Sequence, residues 1–287
     1  MERELWPHLY QSIHLVGGGF HQKSVRYQPW LIVMVLVWAA LHDRPISWAC
    51  QAKNWRTTKL RPLKLPSDST MSKRAKSAGV AMFLHALEAI LRDTQHPQLV
   101  ALLDAKPLPV GGATKDRTAT YGYAAGVMAK GYKIHAIWAG RSIPEAWEVT
   151  PLNVSEVTMA KELVSRLHNG GYMLADANYD GNALSDIAGT QGYQLLAPPG
   201  SLNAGKGHHY QSPYRLRGIQ LLYDRFGQDL LAYRRQIERD FGNAVAFAGG
   251  LSPLPAWVRT TQRVRNWVWA KLLINATRIL KLKGLTA

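Results

Sequence analysis

From about residue 97 the chain changes its hydrophobic period, and that change limits the folds open to it. Short apolar runs replace helical spacing. "PQLVALLDAKPL" has proline at each end, "GYKIHAIWAG" alternates between bounding glycines, and "AWEVTPLN" is another short run. Runs of this length and alternation read as strands. "SEVTMAKELVSRLHNG" then reads as a helix: Ser155 offers a cap, Glu156 suits the positive start, and Asn169-Gly170 stops it. "YMLADAN" is the next strand, Asp180 to Thr190 a helix, and "GYQLLAPP" a further strand. A loop follows through "GSLNAGKGHHYQSPYR", and "GQDLLAYRRQIERDFG" is a helix closed by Gly242. Three strands in succession fit a meander. The later alternation fits parallel pairing through helical crossovers. The expected class is α/β, a mixed sheet flanked by helices.

The first hundred residues read as helical. "WLIVMVLVWAALH" is apolar all round, which places it at the buried centre of a helical unit. The apolar stretch from Trp30 to Leu41 is too short to span hydrocarbon, which takes roughly 20 residues. "MERELWPHLYQ" lacks the basic start and apolar core of a signal peptide. Ser67, Asp68 and Ser69 can cap a helix, and Val80, Phe83, Leu84, Leu87, Ile90 and Leu91 share one helical face. The single cysteine, Cys50, excludes a disulfide framework and a cysteine metal site; a packed thiol is its expected role. These features fit a cytoplasmic protein without a membrane partner.

The formal net charge of +16 points to a polyanionic partner, nucleic acid first. The tail "WVRTTQRVRNWVWAKLLINATRILKLK" carries basic residues from Arg259 to Lys283 and no acid. It reads either as an amphipathic helix with a solvated basic face or as a phosphate contact surface; the overall charge favours the second. "VGGGF" and "VGGATKD" do not fit a phosphate-loop pattern, so an ATPase is a poor reading. His208-His209 sits in a Gly/Lys/Tyr loop and reads as DNA contact or simple exposure rather than a metal site.

Two apolar runs end on an acid: "LVALLD" at Asp104 and "YMLAD" at Asp176. Sites in open sheets lie at the carboxyl ends of strands, so two such acids meet if their strands are neighbours. Aspartate also starts ordinary turns. Glu238 is a third candidate, with Arg234 one turn before it on the helix that carries Leu230, Ile237 and Phe241 as its apolar stripe. A surface Arg–Glu pair fits that spacing as well as a metal carboxylate does. Three carboxylates suit hard cations such as Mg²⁺, which keep positions open for phosphate and water. Two such ions roughly 3.5–4 Å apart serve in-line phosphoryl displacement.

"LLDAKPLPV", "KGYKIHAIWAG", "TPLNVSEVTMAKEL", "LADANYDGNAL" and "YRRQIERDFG" resemble, in order, the blocks of bacterial insertion-sequence DDE transposases with an RNase H-like core. The similarity runs from about 100 to 280, and "LPSDSTMSKRAK" resembles their DNA-binding region more weakly. The resemblance implies an RNase H-like mixed sheet flanked by helices over residues 96–250. It implies a helical DNA-binding region over 1–95, and a basic C-terminal helical segment over 251–287. It assigns Asp104, Asp176 and Glu238 to two Mg²⁺ ions, with Mn²⁺ as a substitute. Arg234, Arg235 and Lys106 go to DNA phosphate, and Asp180 to a secondary role, bonding locally or capping the next helix. The family often has Tyr three residues before that Arg and Lys seven residues after the Glu; this chain has Leu231 and Val245, with Tyr233 out of register. These departures leave the carboxylate trio intact and touch the auxiliary DNA contacts. The 62 residues from Asp176 to Glu238 leave no room for a large inserted domain. The implied activity is cutting of transposon ends and joining of the freed 3′-hydroxyl to target DNA, by a homodimer on terminal inverted repeats. A metal-dependent nuclease without strand transfer, and a DNA-binding protein that has lost its chemistry, are the alternatives.

Overall fold

The computed structural model describes residues 2–124, 126–200, 209–234, 250–251 and 253–285. In chain order, helices α1 Glu2–Gly17, α2 Pro29–Leu41, α3 Ile46–Ala49, α4 Asp68–Arg74 and α5 Ala78–Asp93 come first. Strands β1 Val100–Pro109, β2 Thr120–Ala124, β3 Val127–Trp138 and β4 Ala146–Pro151 follow. Then come α6 Glu156–Val164, β5 Gly171–Leu174, α7 Asn182–Thr190, β6 Tyr193–Leu196, α8 Pro213–Tyr223 and α9, described over 225–234. The last helix is α10, Thr261–Leu282. The chain divides into two compact units, Met1–Gln95 with Phe247–Ala287, and His96–Ala246.

In the first unit α2 is the central helix, as its sequence demands. Residues Ile32 to Leu41 are buried on every side, and α1, α3, α4, α5 and α10 pack around it. Trp6, Trp38 and Trp55 form its aromatic centre, with ring centroids 4.6 Å apart for Trp6–Trp38 and for Trp38–Trp55. Burying an indole requires a partner for its N–H. Here Trp6 donates to the Leu60 carbonyl, Trp38 to that of Asn54 and Trp55 to that of Ala49, at 2.8, 3.2 and 2.7 Å. Ser67 caps α4 by accepting from the Thr70 N–H at 3.3 Å. Cys50 is half-buried; burial, and then the Asp68 carboxylate, push its thiol up to about 11, where it is unreactive.

The basic tail is helical, but most of it is core. α10 is buried from Asn266 to Thr277, and even Lys271 is 7% exposed and paired with Asp43 at 2.5 Å. Its tryptophans and aliphatics outnumber the charges along that stretch, so apolar burial decides its place. Arg263 and Lys283 remain exposed.

The second unit is built on one mixed sheet, six-stranded among the described residues, in the order β2-β3-β1-β5-β6 with β4 beside β3. β3 is the pivot. One edge pairs antiparallel with β1, and the other pairs with β2 at its start and β4 at its end. β5 joins β1 in parallel, and β6 joins β5 in parallel, by crossovers through α6 and α7. This is the RNase H-like mixed sheet expected from the sequence. One face is closed by Ala101, Leu103, Ile137, Met173, Ala175 and Leu195 packed with Leu163, Val164, Leu184 and Ala188 of α6 and α7.

Two elements depart from the sequence expectation. β2 extends β3 into a hairpin, and α8 starts at Pro213, inside the stretch read as loop through Arg215, and runs on to Tyr223. Gly218 in α8 resembles a helix breaker but is a close-approach position: a Cβ there would lie 2.5 Å from the Leu195 carbonyl oxygen of β6.

Candidate active site

β1 and β5 set the two acids level. Their parallel register pairs Ala101 with Met173 and Leu102 with Leu174. Asp104 and Asp176 each stand two residues beyond the Leu102–Leu174 pair. Side chains alternate along a strand, so both acids share the face of those leucines and turn away from the core face of Leu103 and Ala175. Asp104 does not end its strand, contrary to expectation. β1 continues to Pro109 against β3, while β5 leaves the ladder after Leu174. The site forms where β1 loses one neighbour and keeps the other.

Asp176 stops β5 by capping. Its Oδ1 accepts from the Asn178 N–H at 2.9 Å and starts a short 3₁₀ turn, Ala177–Tyr179. The preceding Ala175 N–H donates to the Leu196 carbonyl at 3.1 Å, the last ladder bond. Asp104 Oδ1 accepts from the Ala105 N–H at 2.8 Å, and its Oδ2 lies 3.2 Å from Lys106 Nζ.

Burial pushes the Asp176 carboxyl above the usual carboxylate range, and the Asp104 and Glu156 carboxylates add to that rise. The Asn178 N–H and the Arg234 guanidinium oppose it. A carboxyl whose ionisation is opposed by a neighbouring carboxylate marks a place where a cation is favoured. The folded-state pKa lies above the ordinary value, so the carboxyl is neutral in both states at low pH. Its ionisation costs stability as pH rises through the folded pKa. Asp176→Asn therefore raises the Tm of the cation-free protein at pH 7, and the gain disappears near pH 3; thermal melts at both pH values check this.

Glu156 and Tyr179 belong to this neighbourhood, and the sequence does not mark them as site residues; Glu156 reads there only as a helix-start acid. Lys133 holds Glu156 at 2.7 Å. Tyr179 is 1% exposed, and its hydroxyl has no hydrogen-bond partner among the described residues. Burial, then the Glu156, Asp104 and Asp176 carboxylates, push its ionisation far up, so the phenol stays neutral.

The Asp180 side chain neither bonds locally nor caps the next helix: Gly181 holds the cap position of α7. Its carboxylate receives Arg215 Nε and Nη2, each at 2.7 Å, and the two side chains are 7% and 4% exposed. This pair fastens α8 to the turn that carries Asp176. Asn182 adds to it, donating to the Tyr210 carbonyl at 3.0 Å and accepting from the Ser212 N–H at 3.1 Å. α9 follows directly. Phe226 meets Tyr172 of β5 edge to face at 5.3 Å, and the Tyr233 hydroxyl donates to Gln98 Oε1 at 3.2 Å. Arg234 near the end of described α9 then acts on Asp176. Leu230 is half-buried. Arg235, Ile237, Glu238, Phe241, Gly242, Val245 and His208 lie outside the described residues.

The family model described as "Transposase DDE domain" matches residues 95–273, more than half of the chain. The chain belongs to the DDE transposase domain family. No curated protein matches it. Among solved structures, piggyBac transposase in a synaptic complex with hairpin DNA is similar at 11% identity and a TM-score of 0.35. That similarity covers 72% of this chain and 52% of the piggyBac chain, so the chain spans about half the length of that protein. A likeness that distant carries no argument about the site.

The DDE transposase family generally uses divalent metal ions. Among the described residues no group of three or more His, Cys, Asp or Glu is gathered as a ligand set. The donors that are present fit a hard cation: Asp104 and Asp176 stand level on one sheet face, offer only oxygen, and repel one another. Lys106, 3.2 Å from Asp104 Oδ2, already supplies one positive charge there.

Proposed function

We propose that this chain is a DNA transposase that cuts transposon ends and joins the freed 3′-hydroxyl to target DNA. The level pair Asp104 and Asp176, with Arg234 acting on it, supports this reading most directly. Asp104, Asp176 and Glu238 are the proposed catalytic carboxylates and the proposed holders of two Mg²⁺ ions, with Mn²⁺ as substitute. Ions bound there would supply Lewis acidity to the phosphodiester and neutralise its charge.

The chain's own groups do the rest. Arg234 grips a non-bridging phosphate oxygen, and Arg235 and Lys106 bind adjacent phosphates. Lys106, 3.2 Å from Asp104 Oδ2, would turn to phosphate with cations held by Asp104. Tyr179, kept neutral, forms an uncharged wall beside the carboxylates. In the first step water attacks phosphorus, the P–O3′ bond breaks, and the 3′ oxygen leaves as a hydroxyl. In the second that hydroxyl attacks a target phosphodiester, and the target's 3′ oxygen leaves in turn. One P–O bond is exchanged for another, so no energy source is needed.

Double-stranded DNA is the proposed partner, as terminal inverted repeats and as target, bound by a homodimer in the bacterial cytoplasm. Residues 1–95, with the exposed Arg263 and Lys283 of the 251–287 segment, serve DNA binding, and 96–250 the chemistry. No described helix is long and apolar enough to cross a membrane. Incubating the protein with Mg²⁺ and DNA carrying the element's ends, then scoring both nicks and joined products, tests the reading. Cleavage without joining identifies a nuclease, and binding without cleavage a protein that has lost its chemistry. A second measurement needs no substrate. Mn²⁺ or Mg²⁺ at 100 times its Kd stabilises the wild-type protein by about 2.7 kcal/mol and leaves Asp104→Ala unshifted in a thermal melt.

A further inference from the structure

A cavity of about 400 Å³ opens in the helical unit beside α1 and α2, and nothing in the catalytic reading uses it. Its size falls within the roughly 300–1,000 Å³ of ordinary small-molecule sites. One wall is a run of rings. Tyr10 and His14 lie 4.2 Å apart by centroid, and His14 and Trp30 lie 4.7 Å apart. Tyr10 leans on Trp6 at 6.2 Å, and Trp6 belongs to the buried tryptophan cluster, so the wall is anchored in the core. Around the opening stand Arg26, Arg61 and Lys64, all exposed. Arg26 lies 5.3 Å from the Tyr27 ring centroid. No carboxylate lines the cavity, and among the described residues none pairs with these three cations.

Flat rings beside unneutralised cations match a nucleotide, whose base offers a π face and whose phosphate is an anion. A free nucleotide and a nucleotide within a strand share that chemistry. The cations come from two separate segments, residue 26 and residues 61–64, and so face more than one phosphate. The net charge of +16 also favours a polyanion over a single nucleotide. In a duplex the base faces are stacked inside and out of reach of such a wall.

We propose that this cavity binds an unpaired nucleotide of a DNA strand, its base against Trp30 and His14 and its flanking phosphates on Arg26, Arg61 and Lys64. The choice of DNA as the strand rests on the transposase reading above; the ring-and-cation chemistry does not.

The test is equilibrium binding of the full chain to a fluorescein-labelled oligodeoxythymidine without divalent cation, so that no cleavage intervenes. Trp30→Leu weakens binding roughly 5- to 150-fold, the range for losing one base–aromatic stack. Arg61→Ala with Lys64→Ala changes only exposed side chains, which keeps the test valid if Trp30→Leu misfolds. That double variant lowers the slope of log K against log salt by about 1.4, the value for two fewer neutralised phosphates on a single strand. Trp30→Leu leaves the affinity for a blunt duplex of equal length unchanged, because paired bases offer no free face to the ring wall, and free dTMP competes weakly. The proposal is overturned if the double variant keeps the wild-type slope, if Trp30→Leu weakens the blunt duplex as much as the single strand, or if dTMP displaces the strand mole for mole. An inactive Asp104–Asp176 site leaves every one of these results unchanged, and loss of the cavity leaves cation binding at those acids unchanged.

Discussion

Asp176→Asn abolishes cleavage of DNA carrying the element's ends and leaves DNA binding intact. Asparagine keeps the shape of the side chain and still caps the 3₁₀ turn through its carbonyl oxygen, since Asn is as good an N-cap as Asp. It removes only the anionic oxygen donor. The loss is about 10²- to 10³-fold or more, the usual cost of deleting one group that stabilises charge in a transition state. Asp104→Asn has the same effect. The double variant is little worse than either single one, because groups that act as a unit are not additive. Gel assays of strand cleavage with Mg²⁺, beside binding measured by fluorescence anisotropy, check the result. Near-wild-type cleavage by Asp176→Asn would remove Asp176 from the site, whatever its position on the sheet.

Asp180→Ala, four residues away, has a different outcome: the protein loses stability. It strands the Arg215 guanidinium, 4% exposed, without its two 2.7 Å partners. Breaking a buried pair from one side costs about 3–5 kcal/mol. At about 2–4 °C per kcal/mol for a unit of this size, Tm falls by roughly 6–20 °C. Added salt changes this little, because burial limits screening. Asp180→Leu combined with Arg215→Met regains most of the loss, since an apolar pair of similar volume removes the desolvation cost. Thermal and urea melts of the two variants beside the wild type decide it. If Asp180→Ala melts with the wild type, the pair is not what fastens α8.

The elements legible in the sequence are those whose burial writes a period. α2 is apolar all round, β3 and β5 alternate or run apolar between glycines, and α6 carries its cap, Ser155, although it ends at Val164 rather than at Asn169-Gly170. β2 escapes such a reading because its alternation exposes tyrosine: Tyr121 and Tyr123 are 60% and 75% exposed, so no apolar face marks it. α8 escapes it because Pro213 and Gly218 look like breakers, whereas one sits in the first turn and the other allows close approach to β6. The charges of the tail mislead, and Lys271 shows why. A lysine can be buried if it carries its own acid, here Asp43.

By itself the sequence determined the class of fold, the family, and which carboxylates to compare. Spacing and hydrophobic period are local properties, and they survive in a linear string. Only the tertiary structure decided which acids meet. The register of β1 against β5 sets Asp104 level with Asp176, and the departure of β5 after Leu174 opens the space beside them. It also divided the two acids of "YMLADANYDG". Asp176 shares a face of the sheet with Asp104, and Asp180 is consumed by an arginine 35 residues later. That division depends on what lies across each side chain, and distances across a fold are set by packing rather than by position in the chain.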